Sequence, residues 1–176
     1  MKKSQLKVVP KKDIPGTTLT NRQVTILWKA CCAYSEKQLP MPLAFAIAKS
    51  SHVLRDEIRR LEIFSKTSDK FHEYDDKRIA VVKSHALLDT NGHPVMTGPN
   101  SLKIDPAKQV EFNAAIAALQ AEYADALKAH DEHVDKVEAH MDESVTLQLT
   151  KCASQFLPQS ISPADVDAFL PLLTDA

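Results

Sequence analysis

The chain has 176 residues, 44% apolar and 26% charged, with a formal net charge of −1, which is the profile of one globular domain with a single sizeable core. Three glycines are too few for phosphate-cradling loops or a sheet-rich fold, so composition points to helices. No apolar run reaches the ~18 residues of a membrane span, and Met1-Lys2-Lys3 is followed by no apolar secretory core. Three cysteines, two of them adjacent at Cys31 and Cys32, make no even disulfide framework, so a reduced cytosolic setting is expected.

Residues 1–18, MKKSQLKVVPKKDIPGTT, hold five lysines and one aspartate and leave the rest of the chain net acidic. Apolar residues set among polar ones, with Pro10 and Pro15, predict an extended arm over 1–18. Lys2, Lys3, Leu6, Lys7, Val8, Lys11, Lys12 and Ile14 are its candidate partner-binding residues. Nucleic acid is considered through this arm alone; the plain alternative is a solvated leader. Removing the arm is expected to leave folding intact.

Residues 19–176 are expected to form a single helical domain. Thr20-Asn21-Arg22-Gln23 is a capping box, and Val24, Leu27, Trp28, Cys31 and Tyr34 follow as one apolar stripe. This short first helix stops before Leu39-Pro40-Met41-Pro42. From Pro42, a proline suited to a helix first turn, the pattern Leu43, Ile47, Leu54, Ile58, Leu61, Phe64, Phe71, Ile79 and Val82 predicts a long helix over about 42–88. It would span roughly 70 Å at ~1.5 Å per residue. Ser65-Lys66-Thr67-Ser68-Asp69 is its weak place, because these side chains compete with the backbone.

Asp89-Thr90-Asn91-Gly92-His93-Pro94 reads as a turn opening a β tongue over about 89–104. Asn91, His93, Val95, Met96 and Asn100 are the tongue's candidate partner-binding residues. Asp105-Pro106 starts a second long helix, about 106–142, with Ile116, Leu119, Tyr123, Leu127, Val134, Val137 and Met141 as its stripe. Residues 145–150 alternate as a strand, and Ser162-Pro163-Ala164-Asp165 caps a short C-terminal helix. The predicted fold is mainly α (α+β): a long antiparallel helical hairpin with a short first helix, a small β element and a short closing helix.

The segment HDEHVDKVEAHMDE, residues 130–143, sets three histidines among acidic side chains. His133 and His140 stand seven apart, about 10.5 Å along the axis, too far to share an ion. His130 and His133, three apart, are weak candidate metal ligands. Further ligands would have to come from His72, Glu73, Asp75 or Asp76, and the register of a continuous hairpin keeps those away. A solvated acidic face with one half-buried histidine is the favoured reading, with no metal and no cofactor. Arg55, Arg59, Arg60 and Lys66 interleave with Asp56, Glu57 and Glu62 as paired surface charges do. No phosphate loop, nucleophile elbow or paired-cysteine motif occurs, and no catalytic residue is assigned.

The layout resembles a family of uncharacterised proteins encoded by tailed phages and prophages. The residues that carry the likeness are Leu19-Thr20, then Leu39-Pro40-Met41-Pro42 leading into Ala46-Ile47-Ala48-Lys49, Asp89 to Gly92, Glu111-Phe112-Asn113, Val145 to Leu149, and Ile161-Ser162-Pro163-Ala164-Asp165. It covers about residues 19–173. The basic arm and the histidine segment depart from it. The resemblance implies a phage origin and a non-enzymatic role: a structural or assembly protein binding itself or other phage proteins, in the host cytoplasm during infection or in the virion. Apolar edges left by two long amphipathic helices fit the same expectation. The runner-up is an inhibitor binding a host defence or nucleic-acid-handling protein; a metal-dependent hydrolase ranks last.

Overall fold

In a computed structural model, residues 16–99 and 101–174 are described. The fold is mainly helical with small strand pairs, the α+β class expected. The chain divides into two compact units: Met1–Ile63 with Ala139–Ala176, and Phe64–Glu138. The arm residues Lys2, Lys3, Leu6, Lys7, Val8, Lys11, Lys12 and Ile14 lie outside the described residues, as does Asn100 of the tongue.

The first unit opens with β1 (Thr17–Thr20), which pairs antiparallel with β4 (Ser144–Leu147) in the register Thr17↔Leu147 to Thr20↔Ser144. Thr17 and Thr18, expected to end the arm, are therefore part of the fold. They read as arm because β1's partner lies far along the chain. The strand runs directly into α1 (Asn21–Tyr34), where the expected capping box is present: Gln23 N donates to the Thr20 hydroxyl at 3.2 Å, and Thr20 N donates to Gln23 Oε1 at 2.8 Å. Its stripe is buried at Val24, Leu27, Cys31 and Tyr34. Helix α2 (Met41–Phe64) adds Leu43, Ile47 and Leu54 to the same core.

Two buried polar side chains tie the returning segment to these helices. The Ser50 hydroxyl accepts from Thr150 N at 3.0 Å. The Asn21 side-chain amide donates to His140 O at 2.8 Å, while its own backbone N–H reaches Glu143 O at 3.0 Å. Buried donors paired in this way avoid the ~1–3 kcal/mol penalty of an unsatisfied group. After a two-residue parallel pairing of β5 (Cys152–Ala153) with β6 (Leu173–Thr174), helix α6 (Pro163–Phe169) packs on α1. Tyr34 and Phe169 meet edge to face with centroids 5.2 Å apart. The Tyr34 hydroxyl donates to Asp165 Oδ2 at 2.9 Å, an oxygen that also accepts from Ser162 at 2.8 Å.

The second unit holds α3 (Asp69–Ser84), the tongue, α4 (Gln109–Glu122) and α5 (Ala124–Met141) as far as Glu138. The helix expected over 42–88 is broken: α2 stops at Phe64, and Ser68 caps α3 by accepting from Phe71 N at 3.3 Å. The serine- and threonine-rich stretch thus ends one helix and starts another, as its backbone-competing side chains dictate. The second long helix, expected over 106–142, is interrupted as well. Pro106–Lys108 form a 3-10 turn capped by Asp105, and at Tyr123 the backbone leaves helical geometry (φ −107°, ψ 19°) between α4 and α5. Helices α3 and α4 run antiparallel, with His85 against Phe112 near one end and Lys77, midway along α3, on Glu122 at the end of α4.

The tongue is held by a closed ring of backbone bonds: Leu87 N to Lys103 O at 2.7 Å, Lys103 N to Val95 O at 2.8 Å, and Val95 N to Leu87 O at 2.8 Å. Beyond this ring, β2 (Met96–Gly98) pairs with β3 (Ser101–Leu102). At its other end, Asp89 accepts from the backbone of Asn91 and His93, and Gly92 supplies φ 80°, the only positive φ among the described residues.

Candidate interaction surface

Of the tongue residues, Asn91 and His93 are exposed and owe their place to the Asp89 turn. Val95 is half-buried and belongs to the backbone ring, so it serves the scaffold. Met96 is 54% exposed and sits at a depression of about 420 Å³ lined by Arg78, Ile79 and Val82 of α3 with Met96, Pro99 and Leu102 of the tongue. Five of these side chains are apolar and the charged ones are cationic, counting Lys83 at its edge. Arg78 is held by Asp75, Nη2 to Oδ1 at 2.7 Å. Leu88 is also exposed. A concave apolar surface with a basic edge suits an apolar anchor flanked by acidic groups.

The histidine segment is less solvated than its composition suggests. His130 stacks on Phe71, centroids 3.5 Å apart and planes within 16°, and His133 lies 6.2 Å from the Phe64 ring. Both histidines keep one buried ring nitrogen without a hydrogen-bond partner, Nδ1 of His130 and Nε2 of His133. The helix break places Phe71 opposite His130, so the register expected to hold residues 72–76 away from it is corrected. Even so, no three His, Cys, Asp or Glu side chains gather closely enough for a metal ion among the described residues. His140 Nδ1 donates to Glu143 Oε2 at 2.8 Å near the end of α5.

Sequence reasoning missed a polar cluster across the α3–α4 hairpin. The Tyr123 hydroxyl stands 2.5 Å from both Glu73 Oε1 and Lys77 Nζ, and Lys77 also reaches Glu122 at 3.1 Å. A tyrosine beside a lysine can serve as an acid–base pair, but that role needs the tyrosine pulled toward neutrality. Here Glu73 holds the Tyr123 phenol above its ordinary range. Tyr123 and the two carboxylates hold Lys77 well above its own, while Tyr123 and Lys77 keep Glu73 low. Together these side chains tie α3 to the end of α4. The signal in the sequence was Glu73 and Lys77 at i,i+4 facing a tyrosine on the opposite stripe.

A second concavity, about 300 Å³, lies between α1 and α2 in the first unit. Small side chains at helical spacing, Ala44, Ala48 and Ser51, create it where larger residues would fill the space. Trp28, Cys32, Leu39, Lys37, His52 and Arg55 complete much of its wall. Cys31 stands at the back, its thiol pushed up to about 12 by burial first and then by Cys32, so it stays protonated and unreactive at neutral pH. Among the described residues, no helix is long and apolar enough to cross a membrane. Comparison with protein-family models, with curated proteins and with solved structures finds no match for this chain.

Proposed function

We propose that the chain is a non-enzymatic binding protein of a tailed phage, a structural or assembly component that docks through the tongue of its second unit. The observation that supports this reading is the apolar depression between α3 and the tongue, with Met96 and Leu88 exposed on the same element. A rigid, ring-bonded tongue presents these side chains without a large ordering cost on binding. The partner it fits carries an apolar anchor beside acidic side chains, on a second copy of this chain or on another phage protein. The likeness of the caps and turns to tailed-phage and prophage proteins supplies the setting, the host cytoplasm during infection or the virion.

The test follows the chain through infection. Particles and assembly intermediates from phage-producing cells, separated on a density gradient, are expected to contain it, and Met96→Asp is expected to remove it from them. A chain found only in complex with a host protein would sink the assembly role. It would favour the second reading, an inhibitor of a host defence or nucleic-acid-handling protein, for which the exposed acidic residues Asp131, Glu132 and Asp135 of α5 are the supporting feature.

A further inference from the structure

We infer that the cavity between α1 and α2 is a binding site for a small organic carboxylate with a flat apolar body, a site separate from the tongue surface. Three features of the wall support the assignment. The first is charge: Lys37 and Arg55 line the cavity, His52 stands beside them, and no aspartate or glutamate contributes to the lining. The second is pairing. On α2, Asp56 is taken up by Arg59 at 4.0 Å and Glu57 by Arg60 at 3.1 Å. Arg55 has no ion-pair partner among the described residues. An arginine fork without a carboxylate matches the two oxygens of one.

The third feature is the apolar wall. Trp28, Leu39, Ala44, Ile47 and Ala48 offer a flat aromatic face and an aliphatic floor. At about 300 Å³ the space equals roughly ten waters at ~30 Å³ each, enough for one ring and a short chain. Lys37 is less suited to be the anchor. Its ammonium sits 3.6 Å from the centre of the Tyr34 ring and feels the Asp165 carboxylate. Arg55 is therefore assigned the carboxylate, Ser51 and Ser35 the remaining polar contacts, and Trp28 the ring.

Trp28 is the only tryptophan of the chain, so its fluorescence reads this cavity directly. Titration of the full chain with 3-phenylpropionate is expected to give a saturable change in emission at millimolar concentrations or below, and 3-phenylpropionamide, the same body without the charge, is expected to give none. Arg55→Ala should weaken the carboxylate about tenfold or more. Ala48→Leu, an exposed position on the cavity wall, should abolish binding by filling the space, with helicity unchanged in both variants. Equal binding of acid and amide would overturn the assignment, as would no saturation by the acid. So would a folded Arg55→Ala or Ala48→Leu chain that binds as tightly as the original.

Discussion

Thr20 serves two elements at once: its backbone ends β1 opposite Ser144, and its hydroxyl starts α1. Thr20→Ala should cost about 1 kcal/mol in denaturant unfolding through the lost cap; an unchanged midpoint would mean that the Gln23 half of the box suffices. Asp165 carries a different signature. Hydrogen bonds from Ser162 and then Tyr34 hold its carboxyl below the ordinary range. A depressed carboxyl stabilises the fold above its unfolded value of 3.8, and that stability is lost as pH falls through the lower folded value. The melting temperature of Asp165→Asn should therefore lie below that of the parent chain at pH ~7, and the gap should close as pH drops below ~4. A gap that persists in acid would assign the effect to Asn packing. Tyr34 lies on the other side of this bond, its phenol raised by burial and by Asp165.

At the scale of elements, the β1–β4 pair decides what can be trimmed. Two truncated chains, one lacking 1–15 and one lacking 1–18, differ by Gly16, Thr17 and Thr18, of which the threonines pair with Leu147 and Thr146. The shorter chain should melt lower; equal melting would show that Leu19 and Thr20 alone hold the pair. In the second unit, His130→Ala removes the ring stacked on Phe71 and should lower the melting temperature more than His140→Ala, whose ring lies in the first unit near the end of α5. Thermal melts of the two variants make the comparison. Caps and turns were legible in the chain: Thr20, Ser162, Asp105-Pro106 and the Asn91-Gly92 turn are all where their residue types predict, because capping is local chemistry. The break at Ser65–Ser68 was foreshadowed by composition. The interruption at Tyr123 was not, since Ala-Glu-Tyr-Ala carries no breaker and the contacts of Tyr123 with Glu73 and Lys77 join positions about fifty apart. The Thr17–Thr20 strand was equally hidden, its partner being remote. Neither concavity was legible, for each arises only where side chains of one element face those of another.

At the scale of the molecule, the two units differ in how much they bury. The first has a core that includes Val24, Leu27, Leu43, Leu54, Phe169 and Leu172, all without measurable or nearly without exposure. The second rests on Tyr74, Leu119 and Tyr123, with Phe71, Ala126 and Leu127 packed against them. Burial of apolar surface is the main source of local stability, so amide hydrogen exchange should be faster across α3 and α4 than across α1 and the buried face of α2. Uniform protection would mean that the whole chain opens as one.

The pairing of β1 with β4 also sets an order of events during synthesis. Thr18 and Thr146 bond across 128 positions. At ~5–20 residues per second the ribosome needs roughly 6 to 25 s to deliver the second after the first. Every contact within Phe64–Glu138 can form before that strand exists. The inserted unit is thus the first to be complete, while the amino-terminal strand waits for a partner made near the end.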